Sequence, residues 1–116
     1  MPWFIEKKYR ESFSKWNHHT RVAYIWRTLT EKGLKFASEN KKFVMQFKLE
    51  DFMENPEIFV DEIERFVGQK STGLTAKHID SVKSHKNRVY PDNTQFIEES
   101  ERKKFIELRQ KLGYAN

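Results

Sequence analysis

A mostly helical domain with one or two short strands is the fold class this sequence predicts. Three observations lead there. Apolar residues recur at helical spacing over residues 12–38 and 56–67. One short run, Phe43-Val44-Met45-Gln46-Phe47-Lys48, is almost continuously apolar, as a strand buried on both faces would be. Asn-Pro and Gly punctuation separates these stretches.

Taken in order, residues 12–38 read as a helix with Trp16, Val22, Ala23, Ile25, Trp26 and Leu29 on a broad apolar stripe. Gly33 is a place where it ends or bends, and Asn40 closes the segment. The run 43–48 follows as the expected strand, with Trp3-Phe4-Ile5 as a weaker second candidate. Asn55 is a good N-cap, and Pro56 stands at the first helical position, where a missing N–H costs nothing. Glu57 suits the positive end of the helix dipole. Phe59, Val60, Ile63, Phe66 and Val67 keep helical spacing until Gly68 supplies the stop, so the helix is expected over 56–67. After a loop at 69–74, a short helix runs from about Ala76 to Lys83, anchored by Ile79 and Val82. Residues 84–93 lack periodicity and contain Tyr90-Pro91, hence a loop. Thr94 or Asp92 caps a last helix carrying Ile97, Phe105, Leu108 and Leu112, which Gly113 ends.

The chain has 116 residues, which suits one domain over 1–116. Ten Phe, three Trp and four Tyr argue for a packed interior rather than disorder. The mean hydropathy of −0.87 adds long charged faces around it. Without cysteine there is no disulfide, no Cys-held metal and no thiol catalysis. No apolar run approaches the roughly 18 residues of a membrane span, and the first residues lack the order of a signal peptide. The expectation is a soluble cytoplasmic protein. Charge is distributed unevenly: residues 1–48 carry +7, residues 49–68 carry −6, residues 69–90 carry +4 and residues 91–116 are neutral. The basic excess is either solvated surface or a site for an anionic ligand.

Four pieces in this order resemble the C-terminal region of the sulfotransferase superfamily, over about residues 14–114. Trp16 and Trp26 lie on a helix before the expected strand. Phe47-Lys48-Leu49-Glu50-Asp51-Phe52 resembles the family's R-Y-E-D-L strand end, with Lys48-Leu49 in place of Arg-Tyr. Asn55-Pro56-Glu57 through Phe66-Val67-Gly68 resembles its N-P-E … F-L-G helix. Ser84-His85-Lys86-Asn87-Arg88-Val89-Tyr90-Pro91 resembles the S-K-G-R-x-Y-P loop, with Asn87 for the usual Gly. Leu112-Gly113-Tyr114 is similar to a common family ending. The resemblance implies a parallel sheet flanked by helices and the donor 3′-phosphoadenosine 5′-phosphosulfate. It also implies a late basic loop that closes over the nucleotide, so Lys86, Asn87 and Arg88 become the expected cofactor-binding residues. The family's donor cradle, a Lys/Ser/Thr-rich loop after the first strand, has no counterpart here. With glycine only at 33, 68, 73 and 113, no Gly-rich phosphate loop exists.

The remaining chemistry is sparse. Sulfuryl transfer builds negative charge on the leaving phosphate, which cations and N–H groups must meet. Arg88 suits a two-donor grip on a phosphate and Lys86 a point charge, against the alternative of a solvated basic loop. Lys70-Ser71-Thr72-Gly73 looks superficially like a phosphate loop but follows a helix rather than a strand. His18 and His19, adjacent on a helix, face different ways, and neither they nor His78 and His85 show ligand spacing. Glu50 and Asp51 are expected at a strand–loop junction in a structural role. No catalytic residue and no metal site is expected. Two functions follow: the C-terminal segment of a sulfotransferase, inactive alone, or a non-enzymatic helical module that self-associates or binds an anionic partner. Homo-oligomers fit the second; single-stranded nucleic acid ranks below both, because the aromatics follow a core pattern.

Overall fold

Local capping chemistry sets most of the element boundaries. The structure, a computed structural model, describes residues 1–70, 74–83 and 91–114. It contains six α-helices among the described residues: α1 (Arg10–Lys15), α2 (His18–Glu39), α3 (Leu49–Glu54), α4 (Pro56–Val67), α5 (Leu74–Lys83) and α6 (Glu99–Lys111). Short 3-10 turns cover Lys7–Tyr9 and Thr94–Phe96. The chain divides into two compact units, one built from 1–36 with 91–116 and the other from 37–90.

In the first unit, the single helix expected over 12–38 is two helices. Trp16 takes an extended backbone (φ −68°, ψ 151°) and stops α1. Asn17 then starts α2, its Oδ1 accepting the Thr20 N–H at 2.8 Å and the Thr20 hydroxyl at 2.9 Å. Arg21 reaches back to donate to the carbonyls of Phe13 (2.9 Å) and Ser14 (2.6 Å), which α1 leaves without helical donors. From there α2 runs unbroken through Gly33 and stops before Asn40. Its buried face is Thr20, Ala23, Tyr24, Arg27 and Thr28. Val22 and Leu29, expected on the apolar stripe, are exposed. The core gathers Ile5, Phe13, Trp16 and Tyr24, with Phe4, Tyr9 and Ile25 around it. The Tyr24 ring lies 5.4 Å from that of Trp16 and 5.3 Å from that of Tyr9, in the tilted and edge-on arrangements that aromatic quadrupoles favour.

The C-terminal segment joins this unit through polar anchors. Asp92 accepts the Thr94 N–H at 3.0 Å and also the Thr94 hydroxyl, opening the turn before α6. Arg102 folds back to donate to the Ile97 carbonyl (2.6 Å from Nη2) and to that of Gln95 (3.1 Å). Gly113, at φ 84°, closes the end as expected, with the Tyr114 N–H donating to Arg109 O at 2.9 Å.

In the second unit the expected strand is corrected. Residues 43–48 form neither helix nor strand. Phe43 and Val44 donate to Asn40 O (2.9 and 3.0 Å) in a turn, and the chain then runs irregularly to α3. A ladder needs a second strand to take its N–H and C=O groups. None exists among the described residues, and Trp3-Phe4-Ile5 is itself a turn closed from Ile5 N–H to Pro2 O at 3.2 Å. The one or two short strands of the expected fold class are therefore absent there. Glu50 and Asp51 are likewise not at a strand end: they occupy the first turn of α3, where negative charge suits the helix dipole.

The helix at 56–67 has the bounds its punctuation demands. Asn55 stands at the N-cap position, though without a side-chain capping bond, and Pro56 is buried at the first helical position. Gly68 adopts φ 77° and donates to Glu64 O at 2.8 Å. Phe47, Phe52 and Phe59 form an aromatic trio with ring centroids 5.4–6.3 Å apart, pinning the irregular segment to α3 and α4. α3, α4 and α5 pack on one another.

Candidate functional site

The first unit concentrates its polar chemistry where α2 faces α6. Arg27 Nε donates to Glu101 Oε1 at 2.6 Å and Nη2 to Oε2 at 3.1 Å, a two-point grip between side chains 74 positions apart. The side chains are 9% and 1% exposed. Nη1 turns to Glu31, one helical turn on, at 3.2 Å. Burial alone pulls the Arg27 pKa down. The hydrogen bonds and charge of Glu101 and Glu31 together more than offset this, so the net displacement is upward and the group stays cationic. With all three guanidinium nitrogens engaged by carboxylates, Arg27 is a clamp and not a grip for a phosphate or sulfate.

Three further anchors run alongside. Thr20 Oγ1 accepts the Glu98 N–H at 2.9 Å, Asn17 Nδ2 donates to Phe96 O at 2.9 Å, and Lys104 Nζ donates to Tyr9 Oη at 2.8 Å. Residues 17 and 20 thus hold the segment just before α6, and residue 27 holds the first turn of α6 itself. Thr28 Oγ1 is buried nearby on the same face of α2 with no hydrogen-bond partner among the described residues.

Of the residues singled out from sequence, Lys86, Asn87 and Arg88 lie outside the described residues, as do His85, Tyr90 and Ser71 to Gly73. His18 and His19 meet edge to face at 5.8 Å, and His19 stacks on Phe96 at 5.1 Å, a packing role. No group of three His, Asp or Glu among the described residues is placed to hold a metal ion. Sequence reasoning missed Arg27 and Glu101. The recurrence 20, 23, 24, 27, 28 marks one helix face, but three of its members are polar and nothing local links Arg27 to a carboxylate so far along the chain.

The second unit carries a different kind of surface. Phe43 is 81% and Leu49 64% exposed, and Phe47, Ile58, Phe66 and Val67 are also exposed. Scattered apolar side chains are ordinary on a protein surface, but six large ones within 25 residues are dense. The same stretch holds the open backbone at 44–48. No helix among the described residues is long and apolar enough to cross a membrane. Comparison with protein-family models, curated proteins and solved structures gives no match for this chain.

Proposed function

We propose that the chain acts as the C-terminal portion of a sulfotransferase. It would supply helices and a cationic loop to the binding of 3′-phosphoadenosine 5′-phosphosulfate, and transfer no sulfuryl group alone. The observation that carries this reading is α4. Its bounds, Pro56 after Asn55 and a left-handed Gly68, coincide with the N-P-E … F-V-G piece of the resemblance. The cationic stretch Lys86-Asn87-Arg88 follows it in the same order as in the family. The chain's lack of cysteine suits a reducing cytoplasm, where we place it.

Calorimetric titration with adenosine 3′,5′-bisphosphate tests the reading. Binding that Lys86→Ala and Arg88→Ala abolish is expected; binding indifferent to both, or sulfuryl turnover by this chain alone, would count against it. The exposed apolar side chains from Phe43 to Val67 favour a second reading: a non-enzymatic helical module that associates with itself. A chain that stays monomeric in sedimentation at high concentration would remove it.

A further inference from the structure

We propose that α4 of a second copy docks along the outward face of α2, antiparallel to it, with Lys32 facing Glu62. This deepens the self-association reading and rests on it. The first ground is an apolar row on the side of α2 that a surface helix ordinarily keeps polar. Val22, Leu29 and Phe36 recur every seven residues, so they share one face over about 21 Å. They are 50%, 44% and 59% exposed, whereas the buried Thr20, Tyr24 and Arg27 lie on the opposite side of the same helix. Half-buried Ile25 and Trp26 flank the exposed row. Apolar residues at seven-residue spacing form the seam along which another helix lies.

The second ground is charge, and it selects the occupant. Lys32 and Lys35 are exposed beside this seam. α4 offers a matching ridge: Ile58, Glu62 and Phe66 stand four residues apart, all exposed, with the exposed Asp61 next to them. Laid antiparallel, one register sets Phe36 on Ile58, Lys32 against Glu62, Lys35 near Asp61 and Leu29 on Phe66. Val22 then lies past the end of α4. A parallel arrangement also brings Lys32 to Glu62 but places Lys35 against Arg65, like charge on like. Each copy displays both faces, so the pairing joins different surfaces of identical chains, a heterologous contact.

Swapping charge between copies tests the pairing. Lys32→Glu with Lys35→Glu leaves both faces acidic, and Asp61→Lys with Glu62→Lys leaves both basic. All four positions are exposed, so helical circular dichroism should be unchanged. In sedimentation each double variant alone should associate about tenfold more weakly than wild type. Their equimolar mixture should regain wild-type association, because each face then meets one of opposite charge. The chain has no cysteine, so single thiols report the register. Under mild oxidation, Leu29→Cys mixed with Phe66→Cys should form the mixed disulfide about tenfold faster than Leu29→Cys mixed with Lys103→Cys, an exposed control on α6, because the pairing raises the local thiol concentration. Double variants that associate as wild type does, or a mixture no better than its parts, overturn this pairing while leaving self-association standing. A monomeric wild type overturns both, and the occupant of the seam is then not a second copy.

Discussion

Replacing one member of the Arg27–Glu101 pair measures how far the first unit depends on it. Glu101→Gln removes a charge from a site only 1% exposed and costs Arg27 two charge-assisted hydrogen bonds. Arg27 keeps Glu31, whose side chain is half exposed, and the introduced amide oxygen can still accept one bond. Charge-assisted bonds are worth roughly 1.5–3 kcal/mol each, so the loss should be about 3 kcal/mol. Arg27→Met is worse, because among the described residues Glu101 has no other partner. A carboxylate stranded that deeply costs about 3–5 kcal/mol, and this variant should lie at the upper end. At about 2.1 cal/mol/K of unfolding entropy per residue, a 116-residue chain shifts its Tm by roughly 4 °C per kcal/mol. The two variants should melt about 12 °C and 20 °C below wild type. Arg27→Met with Glu101→Leu together should return to within about 1 kcal/mol, since an apolar pair of similar volume needs no counter-charge. Urea unfolding followed by circular dichroism and Trp fluorescence gives the three values, provided the two transitions coincide. Single variants that each cost under about 1 kcal/mol, or a double variant as poor as the worse single, would refute the buried-clamp reasoning.

Gly68→Ala should destabilise by about 1–2 kcal/mol, because φ 77° strains a Cβ even though open space surrounds it. Gly33→Ala should stabilise by about 0.5–1 kcal/mol, since Gly33 is in mid-helix and a Cβ there also meets open space; urea midpoints measure both. Asn17→Ala should cost about 1–2 kcal/mol as α2 loses its cap, with Asn17→Asp costing less because the acceptor survives. The Asp92 carboxyl is held below the ordinary aspartate range, chiefly by the Thr94 hydroxyl and then by the Thr94 N–H. A depressed folded-state pKa stabilises above the unfolded value of about 3.9, and that contribution is lost as pH falls through the lower folded value. NMR titration should show the Asp92 midpoint rising in Thr94→Val, without returning fully, because the N–H bond remains.

What was legible in the sequence follows the range of the forces involved. α4 was readable to the residue because Pro56 and Gly68 act through their own backbone geometry. The break at Trp16–Asn17 was also local, an Asn side chain capping Thr20 three residues on, but apolar periodicity straddles it and conceals it. The buried face of α2 was not legible. Periodicity looks for grease, and that face holds Thr20, Arg27 and Thr28; the partners of Thr20 and Arg27 on the C-terminal segment lie 78 and 74 positions away. The run 43–48 failed for a related reason: its composition reports a preference for pleated, half-buried surroundings, and a strand exists only once another strand supplies them.

These contrasts locate where function belongs. The first unit is secured by polar contacts that are all consumed internally: 17 with 96, 20 with 98, 27 with 101, 9 with 104. Each fixes register and leaves little to offer a ligand. The second unit is secured by short-range aromatic contacts and helix caps, and it leaves apolar side chains and three consecutive backbone units without partners among the described residues. Exposed apolar surface and open N–H and C=O groups are what an assembling partner can use. The self-association reading draws on this stretch, whereas the nucleotide reading draws on the bounds of α4 and on the cationic residues Lys86-Asn87-Arg88. Titration with adenosine 3′,5′-bisphosphate separates them: binding lost in Lys86→Ala and Arg88→Ala supports the nucleotide reading, and self-association in sedimentation without any such binding supports the other.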